Sequence, residues 1–118
     1  MASKYKGPAD RLELYEELVA TNPDVARKGA ANPYTSLNGW MFSFLDAGGA
    51  VSLRLSKEDR EEFMSHYDSR ISVQYGSQMK EFVVVPDDLL ENLDELTPWF
   101  TRSYEWVGTL EPKPTKKG

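Results

Sequence analysis

The side chains able to do chemistry in this chain are few in kind. Cysteine is absent and His66 is the only histidine. Without thiolates or a second imidazole, the common metal-ligand spacings and the nucleophile–base–orienter arrangement of a hydrolase triad lack their members. His66 falls late in a helical stretch, where a protonated imidazole favours the C-terminal end of the helix dipole, and a structural role at the surface is expected of it. Carboxylates are plentiful, but Glu58, Asp59, Glu61 and Glu62 stand together at one helix start, and Asp87, Asp88, Glu91, Asp94 and Glu95 at another. There they cap helices and keep the surface solvated. Gly48-Gly49 lacks the lysine and the strand-to-helix setting of a phosphate cradle. No serine stands in a nucleophile-elbow context. The expectation is therefore no catalytic residue, no metal and no cofactor, and a chain that is not an enzyme.

Two polar-aromatic stretches are harder to set aside. Asn32-Pro33-Tyr34-Thr35-Ser36 leads into Asn38-Gly39, and Tyr75-Gly76-Ser77-Gln78-Met79-Lys80 joins two strand candidates. Both place a tyrosine and hydrogen-bonding groups in loops, where binding residues concentrate. Tyr34, Asn38, Gln74, Tyr75 and Lys80 are the candidate binding residues. The competing explanation is turn chemistry, with each tyrosine lying on the edge of the core. A pocket shared by the two stretches would favour a ligand site. Their placement at opposite ends of a sheet would exclude one.

The elements that must position these residues follow from periodicity and punctuation. Pro8 suits the first turn of a helix, where its missing N–H costs nothing. Leu12, Tyr15, Leu18 and Val19 recur at helical spacing until Asn22-Pro23 stops them, so a helix is predicted over about 8–21. A weak strand is predicted over Val25–Ala31, a stronger one from Trp40 to Leu45, and a third over Val51–Leu55, where apolar and polar residues alternate. Asn38-Gly39 and Asp46-Ala47-Gly48-Gly49 are the turn signals between them, and turns this short demand an antiparallel meander. Ser56 caps a second helix that ends near Asp68, with Phe63, Met64 and Tyr67 on its apolar face. Ile71–Tyr75 reads as a fourth strand. Gly76-Ser77-Gln78 turns the chain into a fifth strand, Phe82–Val85, which is apolar on both faces and hence central. Asn92 caps a turn over Leu93–Leu96. Thr97-Pro98 then begins the last helix, with Pro98 at its first position and Trp99, Phe100, Ser103, Tyr104 and Val107 on its inner stripe. The order is α-β-β-β-α-β-β-α: an α+β fold, a two-layer sandwich with one five-stranded antiparallel sheet.

Length and composition bound the rest. The chain has 118 residues, 40% hydrophobic and 28% charged, which fits one globular domain and not a disordered chain. Five of the 14 basic residues (Lys4, Lys6, Lys113, Lys116 and Lys117) lie in acid-free tails at about 1–6 and 112–118, expected to be flexible. The body is left with nine basic against 19 acidic residues, about −10 in charge. An acidic body repels phosphate backbones, which disfavours nucleic acid as a partner despite Arg27, Lys28 and a stackable Tyr34. No apolar run approaches a membrane span, and no apolar segment follows the basic N-terminus as in a signal peptide. With no cysteine, a reducing cytoplasm is the expected location.

Asn38-Gly39-Trp40-Met41-Phe42-Ser43-Phe44, then Val51-Ser52-Leu53-Arg54-Leu55, lead into the acidic helix start Ser56-Lys57-Glu58-Asp59-Arg60-Glu61-Glu62-Phe63. Val85-Pro86-Asp87-Asp88-Leu89-Leu90 and Asp94-Glu95-Leu96-Thr97-Pro98-Trp99 follow. In this order, from about Leu12 to Val107, they resemble the N-terminal domain of the bacterial TfoX (Sxy) competence-regulator family. The resemblance implies a two-layer fold with an antiparallel sheet, like that of type III secretion chaperones, and brings no catalytic residues. Asn32–Leu37 departs from the family, which is glycine-rich there. A length of 118 residues leaves no room for the family's second domain, so a single-domain member is expected. YjbR-like proteins, with a similar meander and a proposed DNA-binding role, are the second resemblance. The expected function is a non-catalytic regulatory or protein-interaction module whose partner is another protein; a homodimer is compatible with this reading.

Overall fold

The computed structural model describes residues 4–74 and 76–112. Four helices and five strands follow in the order helix, three strands, helix, two strands, two helices: α1 (Ala9–Ala20), β1 (Tyr34–Leu37), β2 (Trp40–Leu45), β3 (Val51–Arg54), α2 (Lys57–His66), β4 (Ile71–Gln74), β5 (Ser77–Val84), α3 (Asp87–Leu90) and α4 (Leu93–Thr109). The strands form one antiparallel sheet in the order β1-β2-β3-β5-β4. This is the α+β architecture that periodicity predicted, with β5 inside the sheet as its apolar faces required. The chain termini at 1–3 and 113–118, including Lys113, Lys116 and Lys117, lie outside the described residues. Among the described residues no helix is long and apolar enough to cross a membrane.

The first strand is not where propensity put it. Val25–Ala31 is irregular, with Gly29 at φ +77° breaking any extended run. Within it an isolated bridge joins Lys28 to the sheet, through backbone hydrogen bonds of 2.8 and 2.9 Å with Tyr34. The strand is Tyr34–Leu37 instead. Asn38 and Gly39 both adopt positive φ, 57° and 81°, and Leu37 pairs with Trp40 across them. That is the mirror-image turn whose twist matches a two-residue hairpin, so the residues directly before it have to be strand. Tyr34 thus belongs to the sheet and not to a loop.

Each face of the sheet has its own neighbours. Ser43, Leu53 and Val83 are aligned across β2, β3 and β5 and share one face. On that face lie the helices. The Tyr15 hydroxyl of α1 is 2.7 Å from Ser43 Oγ, and Phe100 of α4 packs on Phe42 with ring centroids 5.5 Å apart. Phe63 of α2 meets Trp99 of α4 edge-on at 5.1 Å. All four helices contribute to this one hydrophobic cluster. Between Thr35 and Ser36 the β1–β2 register slips by one, which makes Phe42 the extra residue of a bulge and turns its ring toward the helices. Ser103 of α4, fully buried, donates to the Phe42 carbonyl at 3.2 Å and the Arg54 carbonyl at 2.5 Å, tying the helix to the sheet at this bulge.

Helix α2 starts as its sequence requires, with Ser56 Oγ accepting from the Asp59 N–H at 3.2 Å. The last helix corrects the expectation for Pro98. There is no restart at Thr97: α4 runs unbroken from Leu93 to Thr109 with Pro98 inside it, and Leu93–Leu96 is its first turn. Pro98 is exposed, so its ring points away from the core and only one backbone bond, to the Asp94 carbonyl, is forfeited. The buried stripe Leu96, Trp99, Phe100, Ser103 and Val107 passes across Pro98 without a break in spacing. Breaking the helix at Thr97 would swing Leu96 off that stripe, and the burial of a full leucine side chain outweighs one lost hydrogen bond near a helix start.

Candidate functional site

Among the described residues the opposite face of the sheet meets no helix. Tyr34, Phe44 and Ser52 are aligned on it across β1, β2 and β3, with Arg54 and Phe82 paired further along. Phe44 and Phe82 are both buried, yet both lie outside the helix-covered cluster, their rings packed together 5.2 Å apart. Arg54 lies over the Phe82 ring at 4.6 Å and pairs with Glu81, which closes this apolar patch at one end.

At the other end the β4–β5 hairpin bends over the face. Ile71 pairs with Val83, but the next residue, Ser72, pairs with Met79, so β5 carries three extra residues at 80–82. A bulge of this size kinks its strand and re-aims the side chains beyond it. Strand β5 begins at Ser77, five residues earlier than its apolar run suggested, because Gly76 at φ +77° completes the reversal and the mostly polar residues 77–81 extend the strand. The outcome is a slot of about 590 Å³ between the hairpin and the β1–β2 edge. Phe44, Leu45, Met41 and Met79 form its apolar floor and sides, and Tyr34 and Pro33 close it from β1. Its polar side chains are few: Asn32, Tyr34, Asp46, Gln74 and Ser77. A mostly apolar concavity of this size with a few convergent polar groups is the usual form of a small-molecule site.

The polar groups are held in place. Asp46 Oδ1 accepts from the N–H groups of Gly48 and Ala50 at 2.9 and 3.0 Å, so the carboxylate anchors the β2–β3 turn. The Tyr5 hydroxyl donates to the Asp46 carbonyl at 2.6 Å; burial first, and the Asp46 charge second, push the pKa of that phenol up. Gln74 Nε2 donates to Asp46 Oδ2 at 3.3 Å and to Ser72 Oγ at 3.4 Å. The buried Ser52 hydroxyl also donates to Ser72 Oγ, at 3.1 Å, so a polar ladder runs from beneath the hairpin to the slot wall.

The structure therefore brings together two of the five sequence candidates, Tyr34 of the first stretch and Gln74, which directly precedes the second. Tyr75 lies outside the described residues. Asn38 is at the exposed hairpin tip, committed to its turn, and does not line the slot; Lys80 is exposed on the bulged part of β5 and does not line it either. Asp46, Phe44 and Met41 line the slot without standing in either stretch, and Met79 stood in the second stretch but not among the five candidates. Asp46 was legible only as a turn residue, and nothing in an alternating strand tells which face the helices will leave bare. The basic residues nearest the first stretch are engaged: Arg27 pairs with Glu16 at 2.7 Å and Lys28 donates to Ser36 Oγ at 2.9 Å.

A second, smaller hollow of about 340 Å³ lies beside His66, Tyr67 and Glu95. The Tyr67 hydroxyl donates to Glu95 Oε2 at 2.6 Å and accepts from Trp99 Nε1 at 3.2 Å, so this phenol is already engaged on both sides. His66 is exposed, 4.0 Å from Glu62 one helical turn earlier. Among the described residues no three carboxylate or imidazole side chains are grouped to hold a metal ion.

No protein-family model, no curated protein and no solved structure matches this chain.

Proposed function

We propose that this chain is a non-catalytic binding module, regulatory or partner-recruiting in the manner of the TfoX N-terminal domain it resembles, and that it takes hold of its ligand in the slot on the helix-free face. The observation that carries this reading is convergence. Two polar-aromatic stretches about forty residues apart in sequence meet on one apolar concavity that the fold leaves uncovered. The chemistry of the walls supports binding over turnover. Asp46 has one carboxylate oxygen committed to two backbone N–H groups, and Gln74 and Ser77 offer hydrogen bonds but no proton-transfer partner. An acidic body and paired Arg27 and Lys28 leave little support for the nucleic-acid alternative.

Ser77 supplies the test. It is exposed at the start of β5 and lines the slot, so Ser77→Trp fills the opening without disturbing the core. Affinity capture from the source cell should retain a partner or small ligand on the wild-type chain that the Ser77→Trp chain fails to retain. A partner held equally by both chains would place the working surface elsewhere.

A further inference from the structure

We propose that the slot selects a small organic cation: an apolar, ring-sized body carrying a protonated amine. This rests on the slot being the binding site and adds the class of ligand. Among the described residues that line it, Asp46 is the one charged side chain, and neither lysine nor arginine is present to neutralise it or to receive an anion. Its carboxylate cannot swing away, because Oδ1 is fastened to the Gly48 and Ala50 amides. Oδ2 faces Gln74 Nε2 at 3.3 Å, longer than a well-formed N–H···O bond of about 2.9 Å. An ammonium donor makes a shorter and stronger bond to a carboxylate than a neutral amide does, so it would displace or join Gln74 there. Gln74 supports the same reading. With its amide nitrogen directed to Ser72 and Asp46, its carbonyl oxygen is left as a further acceptor, and the Tyr34 hydroxyl makes no hydrogen bond among the described residues. The remaining walls favour an aromatic or branched body. Phe44 adds an aromatic ring to the lining, and the Met41 and Met79 thioethers adjust to irregular shapes and make favourable contacts with aromatic rings. The acidic body adds a long-range field that concentrates cations and repels anions.

The test uses three probes of matched body: 3-phenylpropylamine, 3-phenylpropan-1-ol and 3-phenylpropionate. Each is titrated into the full chain near neutral pH and followed by backbone amide shifts at Phe44, Asp46, Gln74 and Met79. The amine is expected to bind at least about tenfold more tightly than the carboxylate, and to weaken as salt is raised. In Asp46→Asn, which keeps a side-chain carbonyl for the turn, the amine should lose its advantage over the alcohol while the alcohol still binds. Equal binding of all three probes in the slot, or tightest binding of the carboxylate, would overturn the cation preference and leave the slot standing as a binding site. Failure of every probe to move those amides would overturn both. The three-probe comparison on the wild-type chain stands even if Asp46→Asn fails to fold.

Discussion

Tyr15 shows how a single buried hydroxyl is kept neutral. It is fully buried, and its oxygen shares hydrogens with Ser43, which in turn lies 2.5 Å from Thr35, so three hydroxyls satisfy one another beneath the sheet. Burial pushes the Tyr15 pKa well above the ordinary phenol value; the hydrogen bonds from Ser43 and Thr35 and the charge of Arg27 pull weakly the other way. A consequence for stability follows from the sign of that shift. Above about pH 10 the unfolded chain releases the Tyr15 proton and the folded chain keeps it, so the folded state binds more protons and loses stability as pH rises. The loss from this one group is about 1.4 kcal/mol per pH unit. Tyr15→Phe should cost about 1 kcal/mol at neutral pH and remove that share of the alkaline slope. Urea melts of both chains from pH 8 to 11 read it, and parallel slopes above pH 10 would show that Tyr15 ionises freely in the fold.

At the scale of elements, α4 joins the helical layer to the sheet, and Trp99 is its largest anchor. Trp99 is only 7% exposed, edge-on to Phe63 and covered on its face by Arg102 at 4.5 Å. Trp99→Ala should cost about 3–5 kcal/mol, a large share of the stability of a domain this size. A melting temperature within a degree or two of wild type would contradict its burial. Pro98 predicts the opposite sign. Since the helix continues through it, Pro98→Ala restores an N–H to the Asp94 carbonyl and should stabilise the fold by up to about 3 kcal/mol; destabilisation would indicate a helix that really begins at Thr97.

Pro98 also marks what the sequence made legible. The buried stripe of α4, the Ser56 cap and the Asn38-Gly39 reversal could all be read directly, because each rests on spacing or on backbone freedom within a few residues. The helix boundary could not, because proline's local cost was outweighed by packing between elements far apart in sequence. Strand β1 escapes for a related reason: Asn32-Pro33-Tyr34-Thr35-Ser36 reads as loop chemistry, although the two-residue turn at Asn38-Gly39 requires a paired strand directly before it. Half of the candidate site was visible as polar-aromatic stretches. The floor of Phe44 and Met41 was not, since it depends on which sheet face stays bare and on the three-residue bulge that bends β5.

On the scale of the whole molecule, charge and shape point to one surface. Nine basic against 19 acidic residues in the body leave a field that repels phosphates, so a mobility-shift assay at low salt should show no retarded nucleic acid at tens of micromolar protein. A shift there would revive the YjbR-like reading. All four helices crowd one face of the sheet, and the other carries the slot. The central claim is that this slot is where the chain binds, and a fragment screen read by backbone amide shifts tests it most directly. Bound fragments should perturb the amides of Tyr34, Phe44, Gln74 and Met79 together, and Ser77→Trp should abolish those perturbations while leaving the rest of the spectrum folded. Fragments that bind only at other surfaces, or that bind Ser77→Trp as well as wild type, would contradict the account.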